Sequence, residues 1–402
     1  MNALEVRVGQ TRIGILERFE DEKQRFSFCD EYVNAFKSSR PVLGQIFEDR
    51  FPAPISVDGP LCWFTHLLPQ GVMLRWRLKL LGLDNFDTFQ LLEQLGDDLP
   101  GSVILTPCEA PLRPTATVVA KSDESLEPQA SLFRFSLAGA QWKLSARSSG
   151  RGLTTRASAD GVACIAKFHS PEYPGLPQCE FATMSWARAA GLKVPDFELR
   201  HVNDFDQVPE DMPTGDGAVF VIQRFDRTPT GRTHIEDFGQ ILDRPPGHSQ
   251  YVGSYEEIAS VIRWISPESA EELLKTIVFH VLSGNGDAHL KNFSVTYPDC
   301  RNAILSPAYD IVSTILYLSP GKEELALTLA GGKKFTAVSR DSFAAMIEKL
   351  GLDQSTGGRI VTDFRDAALV AWRQGEIQSQ YSRVQVERLQ KHLDSLMLVA
   401  EQ

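Results

Sequence analysis

No two of the six cysteines, at positions 29, 62, 108, 164, 179 and 300, form a C-x-x-C pair. That scatter excludes the paired ligands of a zinc ribbon and the dense framework of a disulfide-stapled domain, and predicts reduced, mostly buried thiols. The chain also lacks any uninterrupted apolar run near the roughly 20 residues that span a bilayer, and its first residues carry no basic-then-apolar signal profile. A cytoplasmic protein with no membrane contact is therefore expected. Positive charge is in short supply too: 41 Lys and Arg face 52 Asp and Glu, a formal net charge of -11. Affinity for a phosphate backbone comes from Lys and Arg, so nucleic acid is expected only indirectly, through a partner. What is present is the composition of a folded protein: 402 residues, 43% hydrophobic and 23% charged, enough for two or three domains with sizeable cores.

Alternation of apolar and polar residues between positions 4 and 34 (Leu4, Val6, Val8; Ile13, Ile15; Phe26, Phe28, Tyr32) predicts a small antiparallel sheet. A Pro- and Gly-rich passage covers 41–60. Helical spacing follows at 63–68 and at 88–95, where Phe89, Leu91, Leu92 and Leu95 make one apolar face. Residues 1–110 read as one α/β subdomain. Residues 111–129, rich in Pro, Thr, Ser and charge, predict a linker. Strand-like runs recur at 132–137, 142–146, 162–168 and 218–225, interrupted by one helix at 177–190 that stops at Gly191. Strands around a single helix make 111–225 read as the small lobe of a kinase. From Tyr255 the pattern turns helical, at 255–265, 266–283, 339–350 and in a long amphipathic segment at 362–399, so 226–402 read as an all-helical lobe.

The chemistry concentrates in Ser283-Gly-Asn-Gly-Asp-Ala-His-Leu-Lys-Asn-Phe-Ser294, followed by Ser306-Pro-Ala-Tyr-Asp-Ile-Val312. Asp287 and Asn292 stand in the D-x-x-x-x-N spacing of a kinase catalytic loop, where Asp accepts the acceptor's hydroxyl proton and Asn holds magnesium. Asp310, expected to emerge from a β-bridge-like strand after Pro307-Ala-Tyr, lies where a second magnesium ligand belongs; its bland alternative is an N-cap for a helix starting near Ile311. Lys291 can balance charge on the migrating phosphoryl group. His289 either bonds Asp310 or holds the loop backbone, and with His280 it supplies too few ligands for a metal hydrolase. By density of Gly, Asn and Asp alone, this stretch would be only a turn. Lys167, ending the run Val162-Ala-Cys-Ile-Ala-Lys, is placed for the α- and β-phosphates of ATP, with Glu180 on the next helix to orient it; a lone strand-end lysine is more often a solvated surface residue. Ala138, Gly139 and Ala140 are small enough for backbone amides to approach phosphate oxygens, with Lys143 adding charge, although a tight hairpin explains them equally well.

Taken together, these motifs resemble the HipA family of bacterial serine/threonine kinases, toxins of HipA/HipB pairs. The phrases that carry the resemblance are Ser136-Leu-Ala-Gly-Ala-Gln141, Ala166-Lys-Phe168, Tyr173-Pro-Gly-Leu-Pro177, Glu180-Phe-Ala-Thr-Met184, Gln223-Arg-Phe-Asp-Arg227, Arg232-Thr-His-Ile-Glu-Asp237, the loop 284–292 and Pro307-Ala-Tyr-Asp310, with Leu67-Leu-Pro69 in front. The resemblance implies a two-lobed, protein-kinase-like α+β fold with an extra N-terminal α/β subdomain and an all-helical C-terminal lobe. It makes Asp287 the base, Asn292 and Asp310 the Mg2+ ligands and Lys167 the phosphate-binding lysine of an ATP-dependent kinase. It places Gln223 and Phe225 at the adenine hinge, Lys143 in the phosphate-covering loop, and Ser136 at the autophosphorylated serine, whose modification would switch the enzyme off. Trp142 stands where many relatives carry charge, and Ser145, Ser148 and Ser149 compete as phosphoacceptors. The implied partners are a HipB-like helix-turn-helix antitoxin and a protein of translation, such as an aminoacyl-tRNA synthetase, as substrate. Two rivals remain: a small-molecule kinase of the aminoglycoside phosphotransferase type, which shares the G-D-x-x-x-x-N loop, and a nucleotide-binding regulator without catalysis.

Overall fold

Five antiparallel strands open the chain: β1 (Asn2–Val8), β2 (Thr11–Arg18), β3 (Gln24–Phe28), β4 (Ile55–Val57) and β5 (Val103–Cys108), ordered β4-β3-β2-β1-β5. Register places Leu4 opposite Leu16 and Leu16 opposite Phe26, so the alternating apolar residues share one face. The computed structural model describes residues 2–83, 87–109, 141–149, 152–154, 161–319 and 321–400. The expected linker at 111–129 and strand at 132–137 lie outside these residues, as do Ser136, Ala138, Gly139 and Ala140.

Helices α1 (Asp30–Asn34), α2 (Gln45–Arg50), α3 (Cys62–Thr65), α4 (Gly71–Leu81) and α5 (Thr88–Leu95) accompany this first sheet. Tyr32 thus sits on a helix rather than a strand, and the Pro- and Gly-rich passage contains both α2 and β4. In α5 the Asp87 carboxylate accepts the Gln90 amide at 3.0 Å, an N-cap, and Phe89, Leu91 and Leu92 are buried as their spacing predicts. Helix α4 was not apparent from the sequence. Its buried residues are Met73 and Trp76, and both pack into the core of the second sheet. The half-buried Leu74 and Leu78 pack instead against the core of the first sheet, so the apolar residues are divided between two faces and leave little single-faced periodicity to read.

The second sheet holds β6 (Lys143–Ser149), β7 (Gly152–Thr154), β8 (Val162–Lys167), β9 (Phe197–His201) and β10 (Ala218–Gln223), in the order β7-β6-β8-β10-β9, backed by α6 (Leu176–Ala189). β9 escaped notice because it is an edge strand with Glu198, Arg200 and His201, charges that protect an open edge and hide its alternation. Trp186 of α6 packs on Phe279 and Trp372 and donates its Nε1–H to the Ala368 carbonyl at 2.8 Å, which fixes this lobe to the helices beyond it.

Helices dominate the remainder: α7 (Phe238–Ile241), α8 (Tyr255–Ile265), α9 (Ala270–Ser283), α10 (Ala344–Leu350), α11 (Gln354–Arg373), α12 (Gly375–Gln378), α13 (Arg383–Ser395) and α14 (Met397–Ala400). The expectation of an all-helical lobe needs correction. Among the described residues seven short strands are interspersed: β11 (Arg227–Thr228), β12 (Gly231–Arg232), β13 (His234–Asp237), β14 (Ser294–Tyr297), β15 (Ile304–Leu305), β16 (Glu324–Leu329) and β17 (Gly332–Lys334). Strands of two to six residues carry too few alternations to register as a period. The segment 362–399 is likewise several helices, because Ser382 starts α13 with a capping box to Gln385. Helix α9 is buried on nearly every side, and it ends where the catalytic-loop motif begins. Among the described residues no helix is long and apolar enough to cross a membrane.

Candidate active site

Helix α9 terminates at Gly284, whose left-handed φ of 65° turns the chain out of the helix; a Cβ there would lie 2.6 Å from Ile315. Gly286 has no room for a side chain either, since a Cβ would lie 2.5 Å from the Glu324 carbonyl oxygen. The Thr314 hydroxyl ties the turn together, accepting the Gly286 amide at 2.7 Å and donating to the Gly284 carbonyl at 3.1 Å. The D-x-x-x-x-N spacing then closes on itself: Asn292 Nδ2 donates to the Asp287 carbonyl at 2.6 Å, and the Asp287 amide donates to Asn285 Oδ1 at 3.0 Å. Asp287 is buried, and its Oδ1 accepts a hydrogen bond from the Tyr251 hydroxyl at 3.0 Å.

Asp287, Asn292, Asp310, Lys143 and Lys291 all line one cavity of about 570 Å3 between the lobes. Lys143 begins β6 directly opposite Lys167 on β8. Lys167 is not a solvated strand-end lysine: at 4% exposure its ammonium ion-pairs with both Glu180, fully buried on α6, and Asp310. Burial pulls the Lys167 pKa below its ordinary value while Glu180 opposes that pull. Asp310 belongs to neither a strand nor a helix start, contrary to both expectations. It has the left-handed φ of 54°, unusual for a residue with a Cβ, in a segment pinned by the Tyr309 hydroxyl, which donates to the Lys291 carbonyl at 2.9 Å. Gln223 ends β10 with its amide donating to the Asp196 carbonyl at 2.7 Å, and the Phe225 ring lies 5.4 Å from that of Tyr309. The residue of this hinge segment that lines the cavity is Arg224.

Of the two roles considered for His289, the structure shows the backbone one. Its Nδ1 accepts the Lys291 amide at 3.2 Å, and burial pushes its pKa down to about 3, which leaves a neutral ring. Lys291 does not present an unmatched charge. Its ammonium donates to Asp237 Oδ2 at 2.7 Å and to His66 Nδ1 and the His66 carbonyl at 3.0 Å each, while His66 Nε2 bonds the Arg244 carbonyl at 2.6 Å.

That His66 contact belongs to a docking surface that the sequence reading missed. Asp226, in the segment 223–227 that begins at the end of β10, accepts from Arg224 and Arg227 at 2.7 Å and from the Gly101 amide at 2.9 Å; Arg227 also donates to the Leu99 and Gly101 carbonyls. His234 Nε2 bonds the Leu43 carbonyl at 2.8 Å. Glu236, fully buried, accepts from Trp63 Nε1 and the Tyr297 hydroxyl at 2.8 Å and from the Gln45 amide. The motifs at 223–227 and 232–237 therefore bind the N-terminal subdomain against the catalytic loop, and Leu68, Met73 and Asp98 of that subdomain form one wall of the cavity. The readable signal was Arg-x-Asp-Arg and His-x-Glu-Asp, charges alternating where one strand face had to be dry. Asp226→Ala leaves the two nearly buried arginines with only the half-exposed Asp98 carboxylate, 3.7 Å from each, and is expected to cost about 3 kcal/mol, measured by urea denaturation, with earlier proteolysis of residues 4–106.

Burial also holds His234 down to about 4 and His280 down to about 3, beside His289. A histidine whose folded pKa lies below its unfolded value of 6.5 binds its proton less tightly when folded. Its contribution to stability is present above 6.5 and is lost as pH falls from there towards the folded value, by roughly 1 kcal/mol per pH unit for each group. Glu236, raised to about 7 by burial, has the opposite sign, its contribution being present at low pH and lost as pH rises through 7. Three histidines outweigh one glutamate, so denaturation midpoints are expected to fall between pH 6.5 and 4, less steeply in His280→Gln.

Residues 4–106 match the model of the HipA N-terminal domain, and residues 135–372 that of the HipA-like C-terminal domain. Y4dM of Sinorhizobium fredii, named as a candidate kinase, is 36% identical over 366 residues, covering 88% of this chain and 87% of its own. The serine/threonine-protein kinase toxin HipA of Shewanella oneidensis is 25% identical over 326 residues, covering 73% of this chain and 72% of its own. Among solved structures, a chain of the Shewanella oneidensis complex of HipA, HipB and operator DNA superposes with a TM-score of 0.71 at 21% identity, over 98% of this chain and 96% of that one. That likeness shows the kinase-like α+β fold.

Proposed function

The chain belongs to the HipA family, and from that premise we propose that it is an ATP- and magnesium-dependent protein serine/threonine kinase, the toxin of a HipA/HipB-like pair. The observation that carries this reading is the convergence of Asp287, Asn292 and Asp310 on one cavity beside the buried Lys167–Glu180 pair. The donor set fits magnesium: because Asn292 spends its Nδ2 on the Asp287 carbonyl, its amide oxygen is the atom left for a hard cation, and Asp310 adds a carboxylate. When bound, magnesium-ATP supplies the phosphoryl group. Lys167 and Lys143 hold and orient its phosphates, and Asp287 takes the proton of the acceptor hydroxyl as the new O–P bond forms and the bond to the leaving diphosphate breaks.

The family relation supports a helix-turn-helix antitoxin as partner, as in the Shewanella complex with HipB and operator DNA. With a net charge of -11, DNA would be reached through that antitoxin. A component of translation, such as an aminoacyl-tRNA synthetase, is the proposed substrate. Autophosphorylation at Ser136, or at Ser145, Ser148 or Ser149 on β6, is the proposed off-switch. What tells against an aminoglycoside-type kinase is the HipA N-terminal domain at 4–106, which forms a wall of the site. Incubation of the full chain with magnesium-ATP, followed by intact-mass and peptide mass spectrometry, tests the reading. A phosphoryl group on one of these serines is expected; bound nucleotide with no phosphate transferred would sink it.

A further inference from the structure

The mechanism above leaves one side chain at the base unexplained. Tyr251 ends a short turn, His248–Tyr251, outside every motif that pointed to the site, yet its hydroxyl donates to Asp287 Oδ1 at 3.0 Å. We propose that Tyr251 is the positioning residue of the catalytic base: its phenol fixes the torsion of the Asp287 carboxylate and so decides where the second oxygen points when an acceptor hydroxyl arrives. This inference rests on the kinase reading and assigns that site a residue which the motifs do not contain.

Three observations favour a rigid mount over a mobile cover. The Tyr251 ring stands edge-on to the buried His289, with centroids 4.6 Å apart and an interplanar angle of 85°. Its carbonyl accepts from Lys333 Nζ of β17 at 3.3 Å. Two residues on, the Gly253 carbonyl accepts both the amide and the hydroxyl of Thr328 on β16 at 3.1 Å. The β16–β17 hairpin, which the sequence reading did not foresee, thereby clamps the turn that carries the phenol. A carboxylate joined to Cβ by one rotatable bond swings freely unless one oxygen is held. Geometric errors of about 1 Å cost phosphoryl transfer up to a hundredfold.

The test is Tyr251→Phe in the full chain, which keeps the ring packing on His289 and removes only the donor. Initial rates of phosphate incorporation from magnesium-ATP are measured beside wild type, with ATP KM and the melting temperature. A fall in kcat of roughly tenfold, with ATP KM and melting unchanged, is expected. A merely structural tyrosine would move melting or KM instead, and that result overturns the proposal, as does an unchanged kcat. A rise in kcat would also overturn it, since the phenol would then be occupying the acceptor's place. Wild type that binds ATP but transfers nothing would defeat the kinase reading itself, and this proposal with it, whereas active wild type with an equally active variant defeats the positioning role alone.

Discussion

Asp287→Asn is expected to reduce phosphate transfer by at least about a hundredfold while leaving the fold and nucleotide binding intact. General bases contribute about 10²–10⁴ in rate, and an amide cannot take the acceptor's proton. Asparagine keeps the shape of aspartate, so the contacts that build the loop survive. The Asp287 backbone carbonyl still accepts from Asn292, and an amide oxygen can still accept from Tyr251. A loss of rate therefore reports on the missing proton acceptor and not on a collapsed loop. The check is the initial rate of phosphate incorporation together with the melting curve and ATP affinity of the purified variant. Retention of more than a tenth of the wild-type rate would mean that the proton goes elsewhere, and His289, neutral and held by the Lys291 amide, is not available to receive it.

The second large effect concerns stability. Lys167 is the counter-ion of Glu180, which has no exposure at all, and of Asp310. Lys167→Met leaves Glu180 buried without its cation and is expected to cost about 3–5 kcal/mol, the usual penalty for breaking a buried pair from one side. Adding Glu180→Gln removes the stranded charge, so the double variant is expected to regain most of that stability in urea. Transfer activity should stay lost in both, because Lys143 alone is left to orient the phosphates. Additive single effects would show that the pair is not coupled and that Lys167 matters only through its packing. Asp310 gains from the same arrangement. Its left-handed backbone holds a carboxylate against Lys167, and phosphates that draw that ammonium away would free the carboxylate for the proposed magnesium.

Elements with enough apolar residues in one period were legible. Helix α5 and its buried Phe89, Leu91 and Leu92, helix α8 at Tyr255–Ile265, and the hairpins of the first sheet appear where spacing placed them. The elements that were missed lack such a period. Helix α4 divides its apolar residues between the two cores, β9 is a charged edge, and the strands around the D-x-x-x-x-N loop are too short to alternate. Asp310 failed as both strand residue and N-cap because neither a period nor a cap signal reveals a left-handed aspartate held by its neighbours' hydrogen bonds.

The site divides along the same line. The sequence by itself determined the spacing on which the loop closes, since Asn292 reaches back to the Asp287 carbonyl only five residues away, whereas Gly284 and Gly286 answer to Ile315 and the Glu324 carbonyl, which the fold brings against them. It determined too that Lys167 and Glu180 belong together, because a strand and the helix after it are neighbours in the chain as well as in space. Only the tertiary structure decided what surrounds them. Tyr251 meets Asp287 across 36 residues, Lys291 meets His66 across 225, and Trp63 meets Glu236 across 173. Contacts at such separations leave no local pattern, because what creates them is the burial of polar groups that must find partners wherever the fold brings them.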